Sequence, residues 1–184
     1  MPHYQSFDPK AEIIGQTALS LITNIMHDDI AGILKRHDLE QIDPAAWYPI
    51  QSVLDVLSEI SEGENASSAF VSIGMAAGKL GYDSLPDAVK QMSLGDFLVL
   101  YSKHYQSRMR NGDAGWIKVE QRNERHSVIQ SCIPFPDDVF YGVFYAYARL
   151  YRPAGKGFTV KYDEQLVRHD DGGEFTTLHV LIDA

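Results

Sequence analysis

Apolar residues recur at two different periods along this chain, and the change of period divides it. From Ala11 to Arg36 they fall at spacings of three and four (Ile13, Ile14, Ala18, Leu21, Ile22, Ile25 and Met26), the period of an amphipathic helix. His27-Asp28-Asp29 is where this run can break into two helices. Asp43 followed by Pro44 reads as an N-cap with proline in the first turn. The helix it opens presents Trp47, Ile50, Val53, Leu54, Leu57 and Ile60 on one side and stops near Gly63. Ala66 to Leu80 is helical and rich in small residues, among them Gly74, Ala77 and Gly78, so a neighbour can approach it closely. Ser84 and Ser93, each with an aspartate three positions on, open a short and a longer helix in the manner of a capping box. The longer one carries Phe97, Leu98, Leu100, Tyr101, His104 and Tyr105 and ends at Asn111-Gly112.

Beyond Gly112 the period falls to two. Gly115 to Glu120 alternates apolar and polar residues, and Ser127 to Ile133 follows after a short polar turn, which predicts a hairpin. Pro136 to Tyr151 returns to the helical period. Gly157 to Tyr162 and Thr176 to Leu181 then close the chain as a second hairpin around Asp170-Asp171-Gly172-Gly173. The order predicts an α+β fold over residues 1–184. Residues 1–112 are mainly helical, and 113–184 hold a four-stranded antiparallel sheet with one central helix, packed on helices. Arg110 to Gly115 is the only candidate boundary. Each half is small for an independent core, so it reads as a turn inside one domain.

Composition narrows the function classes. An apolar content of 45% and a charged content of 22% suit a soluble globular protein. No run approaches the roughly 18 apolar residues of a membrane span, and the first residues carry Asp8, Lys10 and Glu12 rather than a signal-peptide core. Cys132, the one cysteine, falls in a predicted strand and reads as an inert thiol. These features together predict a cytoplasmic protein. The net charge is −9, and residues 1–100 hold 14 acidic against 5 basic side chains, which argues against nucleic acid as a partner. Residues 101–126 reverse the sign, with 6 basic and 3 acidic side chains, enough to greet one anionic ligand or an acidic partner surface.

Two segments carry candidate chemistry. Phe135 to Tyr151 holds seven aromatic residues in seventeen, on more than one face of a helix. They serve as core with phenol hydroxyls at the water boundary, or also as the lining of a pocket or a dimer seam. On the preceding long helix Tyr101, His104, Tyr105 and Arg108 share a face, which concentrates two phenols, an imidazole and a guanidinium able to hold a polar ligand group. His27-Asp28-Asp29 and His169-Asp170-Asp171 look like metal fragments but lack partners at ligand spacing, and His37, His126 and His179 are isolated in sequence. No nucleophile elbow, phosphate loop or dinucleotide fingerprint occurs, so an enzyme is not expected.

The order of helices followed by β-β-α-β-β, with Tyr141-Gly142-Val143-Phe144-Tyr145-Ala146-Tyr147-Ala148-Arg149-Leu150-Tyr151 ahead of the strand Phe158 to Tyr162, resembles one superfamily. It unites the heme nitric oxide/oxygen-binding (H-NOX) domains, the 4-vinyl-reductase-type small-molecule-binding domains and the Golgi transport-tethering subunits. The resemblance implies a domain that buries a ligand between helices and sheet, often as a dimer and often in signalling. Its heme branch implies a proximal histidine in the helix before the sheet, here His104, and a Tyr-x-Ser-x-Arg clamp for the heme propionates. Tyr105 and Ser107 hold that spacing, and Met109 stands in the arginine position.

The sequence therefore predicts a non-catalytic, ligand-binding sensor, expected as a homodimer, that holds a small hydrophobic or aromatic molecule. Phe97, Tyr101, His104, Tyr105, Trp116, Phe140 and Phe144 would form the pocket, with Arg108 near its mouth. One alternative is a heme-based gas or redox sensor with His104 as axial ligand, the only metal role expected. The other is a dimeric scaffold without ligand.

Overall fold

The computed structural model of the chain describes residues 4–22 and 27–184. Glu12–Ile14 (β1) precedes the helix Gly15–Ile22 (α1), so the first residues of the helix expected from Ala11 are extended instead. The reason is pairing. β1 lies between Trp47–Pro49 (β2) and Met109–Arg110 (β3), with Ile13 opposite both Tyr48 and Met109. A second helix, α2, runs His27–Arg36. The stretch between α1 and α2, with Ile25 and Met26, lies outside the described residues.

Pairing also moves the next helix. Asp43 caps a turn rather than a helix: its carboxylate accepts the Ala45 N–H at 2.9 Å, and carbonyls of that turn receive the Gly15 and Gln16 N–H groups at the start of α1. Helix α3 begins only at Ile50 and runs to Ser61, its first N–H donating to the Ala11 carbonyl at 3.0 Å. Ala66–Asp83 forms α4. Ser84 closes α4 instead of opening the short Asp87–Lys90 helix (α5), its hydroxyl donating to the Leu80 carbonyl. Ser93 does cap Leu94–Tyr105 (α6): its Oγ accepts the Asp96 N–H at 3.1 Å and donates to the Asp96 carboxylate at 2.7 Å. α6 ends earlier than the sequence predicts, in a 3-10 turn at Gln106–Arg108, because Met109 and Arg110 are drawn into β3.

The four-stranded sheet contains Trp116–Asn123 (β4), His126–Cys132 (β5), Phe158–Tyr162 (β6) and Thr176–Ile182 (β7) in the order β4-β5-β7-β6, all antiparallel. Alternation places Ile117, Ile129, Leu178, Val180 and Val160 on the core face and Trp116, Lys118, His179 and Lys161 on the other.

Asp137–Tyr151 (α7) joins the two hairpins and has three working faces. Gly142 and its neighbours Val139, Val143 and Ala146 meet α4, where a Cβ added at Gly74 would stand 1.9 Å from the Val139 carbonyl oxygen and one at Gly142 would stand 2.2 Å from that of Val71. Tyr141 and Tyr145 turn to β6, with the Tyr141 hydroxyl donating to the Val160 carbonyl at 3.0 Å. Phe140, Phe144, Tyr147 and Tyr151 face α6 through ring contacts. This explains why aromatic residues occur all round the helix: each face has a different partner.

Candidate functional site

The expected pocket residues converge, in part, where α6 crosses α7. Phe97, Tyr101 and Tyr105 repeat every fourth residue on α6 and so share a face. Phe97 stacks on Tyr151 with centroids 4.4 Å apart and meets Tyr147 at 4.6 Å. Tyr101 contacts Phe144 at 5.6 Å and Tyr147 at 5.5 Å, and Tyr105 reaches Phe140 at 6.3 Å. Phe97, Tyr105, Phe140 and Phe144 are buried and Tyr101 is half-buried. Tyr147 and Tyr151 belong to the cluster although the sequence reading did not single them out. Their positions three and seven after Phe144 put them on its helical face, which was the available signal.

The polar ends of these rings differ. Tyr105 donates to the Ala114 carbonyl at 2.8 Å and Tyr151 to the Val89 carbonyl at 3.1 Å. The hydroxyls of Tyr101 and Tyr147 make no hydrogen bond among the described residues. Burial pushes both phenols above their ordinary pKa, and the Arg108 charge opposes that rise in each. Burial does the same to Tyr105, with Tyr101 adding to it.

Three expected residues stand apart from the ring cluster. His104 and Arg108 are exposed at the end of α6, where Arg108 Nη1 lies 3.5 Å from Thr17 Oγ1 of α1. Trp116 lies on the opposite face of the sheet, near Phe175 at 5.9 Å and beneath the Lys118 ammonium. The register fixes this: Trp116 is one residue from the inward-facing Ile117.

These placements test the residues against a heme. The axial candidate His104 is exposed rather than turned into the ring cluster. Of the two clamp positions that match, Tyr105 is engaged with Ala114 and the Ser107 hydroxyl donates to the His104 carbonyl at 2.7 Å. Met109, in the arginine position, is buried in β3. The residues present do not fit a heme held in that manner.

Other polar clusters were weaker in the sequence or invisible to it. Arg168 faces four aspartates, with Nη1 at 3.2 Å from Asp138, Nε at 3.6 Å from Asp137 and 3.5 Å from Asp171, and Nη2 at 3.8 Å from Asp170. Asp137 and Asp170 each accept the other's backbone N–H, at 3.0 and 2.9 Å. Burial, reinforced by the Asp137 charge, raises the Asp170 carboxyl to about 6. The folded chain thus keeps that proton to about pH 6, whereas the unfolded chain releases it near 3.8. The group favours folding most below the lower value and loses that contribution as pH rises through the upper one. Asp170→Asn keeps an acceptor for the Asp137 N–H and removes the charge. We expect it to stabilise the fold by about 1–2 kcal/mol at neutral pH and to flatten the loss between pH 4 and about 6, read by denaturant unfolding across pH.

His126 and His179, isolated in sequence, meet across β5 and β7: His126 Nε2 lies 3.0 Å from His179 Nδ1, and His179 Nε2 lies 2.9 Å from Asp163. Their ring centroids are 5.2 Å apart, so the two nitrogens face one another end-on. Burial and then His179 lower the His126 pKa. Only the strand register reveals this chain. Among the described residues no group of three or more His, Cys, Asp or Glu is arranged to hold a metal ion. The Cys132 thiol is half-buried, and burial pushes its pKa up, away from reactivity.

A wide groove of about 1070 Å³ lies elsewhere, between the N-terminal segment and α3, and is lined almost wholly by polar residues. Its groups satisfy one another: Gln51 accepts from the Ser6 N–H at 2.9 Å and donates to Asp55 at 2.7 Å, and His37 bonds Glu59 at 2.7 Å.

No protein-family model and no curated protein matches the sequence. Solved structures do match the fold. An oxygen-binding H-NOX domain related to soluble guanylate cyclases, in its oxygen complex, is 14% identical with a TM-score of 0.70, covering 92% of this chain and 93% of that one. A variant of the T. Tengcongensis H-NOX is 14% identical with a TM-score of 0.69, covering 92% and 95%. A variant of the unliganded Fe(II) H-NOX protein from K. algicida is 8% identical with a TM-score of 0.66, covering 94% and 97%. The chain has the H-NOX fold over nearly its whole length, as the order of its elements implied. No helix among the described residues is long and apolar enough to cross a membrane.

Proposed function

We propose that this chain is a non-catalytic sensory domain that binds a small apolar or aromatic molecule where α6, α7 and the sheet meet. Phe97, Tyr101, Tyr105, Phe140 and Phe144 supply the apolar wall, and His104 and Arg108 lie at its rim. Trp116 has no part in it. One observation carries the reading: two phenol hydroxyls, Tyr101 and Tyr147, end in a ring cluster without a hydrogen-bond partner among the described residues. Neither oxygen is sealed off, since among the described residues the fully enclosed side-chain atoms that lack a hydrogen-bond partner are Arg168 Nε and Thr177 Oγ1. A hydroxyl left open beside an apolar wall bonds whatever enters, for about 0.5–1.5 kcal/mol each. The pair therefore selects a ligand with a polar group at one end.

The fold supports the same reading, because the H-NOX neighbours include one solved as an oxygen complex. The gas-through-heme version of the function finds no support in His104, Tyr105, Ser107 and Met109 as they are placed. A thermal-shift screen of small apolar molecules tests the proposal, followed by titration of the best compound into wild type and Tyr101→Leu. Loss of the ring and hydroxyl should weaken binding about tenfold, equivalent to roughly 1.4 kcal/mol. A compound that binds both proteins equally would place the site elsewhere. The same sample's native mass reports whether the domain is the homodimer that its sequence leads us to expect.

A further inference from the structure

We infer that the bound molecule carries a single carboxylate, seated where the end of α6 meets α1 by Arg108 and the hydroxyls of Tyr101 and Tyr147. The inference rests on the ligand-binding reading above and adds the chemical class.

Six of the sixteen lysines and arginines form ion pairs among the described residues. Arg36 pairs with Glu59, Lys79 with Asp83, Arg110 with Glu12 at 2.5 Å, and Arg168 with an aspartate cluster. Arg108 has no acid within ion-pair distance among the described residues. Its one polar contact is the Thr17 hydroxyl at 3.5 Å, which ties the guanidinium to α1 rather than leaving it to solvent alone. Arg108 follows Tyr101 by two helical turns, the Tyr101 ring meets that of Tyr147 at 5.5 Å, and the Arg108 charge acts on both phenols. They are also the two whose hydroxyls are unengaged.

The chemistry of these three groups specifies an anion. A guanidinium presents paired N–H donors that match a carboxylate, and each phenol adds an O–H donor. All of them donate well, while the phenols resist ionisation because burial holds their protons. One positive charge balances one negative charge. A phosphate dianion would bring a second charge into the field of a net-acidic protein, so a monoanion is the better match. The apolar remainder of the molecule faces the rings of α6 and α7.

Matched pairs test this directly: decanoate against decanamide and phenylbutyrate against phenylbutyramide, each titrated by calorimetry into wild type, Arg108→Gln and Tyr101→Phe. Arg108 is exposed, so its replacement leaves the core intact. The inference predicts that an acid binds at least tenfold more tightly than its amide, that Arg108→Gln removes the difference, and that Tyr101→Phe reduces it several-fold. Acid and amide binding equally, with Arg108→Gln changing neither, would overturn the carboxylate while leaving the apolar site standing. Binding of neither class would overturn the ligand-binding reading and this inference together.

Discussion

Gly74→Ala is expected to destabilise the fold by about 2 kcal/mol or more, although alanine is the better helix former. The new methyl group would stand 1.9 Å from the Val139 carbonyl oxygen and 2.9 Å from the Val143 nitrogen, both backbone atoms of α7. A flexible side chain could swing away, but a helix backbone cannot. Relief requires α4 and α7 to separate, which opens the core along Ile73, Ala77, Val139 and Val143. Overpacking of this kind costs about 3 kcal/mol and the propensity gain returns about 1, so the loss wins. Gly32→Ala on α2 supplies the contrast. Its methyl would meet only the Arg36 guanidinium at 3.6 Å, and a gain of about 0.5–1 kcal/mol is expected. Denaturant unfolding followed by circular dichroism compares the two. A Gly74→Ala protein within about 0.5 kcal/mol of wild type would contradict the close approach of α4 and α7.

Arg168→Met should cost about 3 kcal/mol at neutral pH, because it leaves carboxylates facing one another without their shared cation. Asp137 is 2% exposed at its side chain and Asp138 and Asp170 are each 14% exposed, so water cannot replace the guanidinium. Arg168 also lies over the Tyr162 ring at 4.4 Å, and Tyr162 donates to Asp138 at 2.7 Å, so the change loosens β6 against α7 as well. Without the arginine the Asp170 carboxyl, already raised by burial and the Asp137 charge, is protonated more readily still in the folded chain. The deficit must therefore shrink as pH falls and be fully expressed above the carboxylate range. Unfolding curves of both proteins at about pH 5 and about pH 8 would show it, and an equal deficit at both would assign the loss to packing alone.

The elements of the C-terminal half were legible because each follows from a local period. Gly115 to Glu120 alternates and Pro136 to Tyr151 repeats helically, and the structure keeps both. The small residues of Ala66 to Leu80 announced a close neighbour, and Gly74 and Gly142 show which one it is. What escaped the sequence depends on long-range pairing. Glu12–Ile14, Trp47–Pro49 and Met109–Arg110 are strands only because they find each other, and alone they read as parts of helices. The site divides in the same way. Tyr101, Tyr105, Phe140 and Phe144 were legible from helical spacing, since a helix fixes which residues share a face. Trp116 was misplaced because its face depends on a register that no single strand declares. The meeting of His126 with His179, and of Arg168 with Asp137, is likewise set by register and loop path.

We propose that this fold holds an apolar organic molecule against the rings of α6 and α7, without heme. The absorption spectrum and native mass of protein freshly purified from cells test it together. Extra mass from a small organic molecule, lost in Tyr101→Leu, and no Soret band are expected. A Soret band abolished by His104→Ala would contradict it and return the exposed imidazole of α6 to the centre of the site.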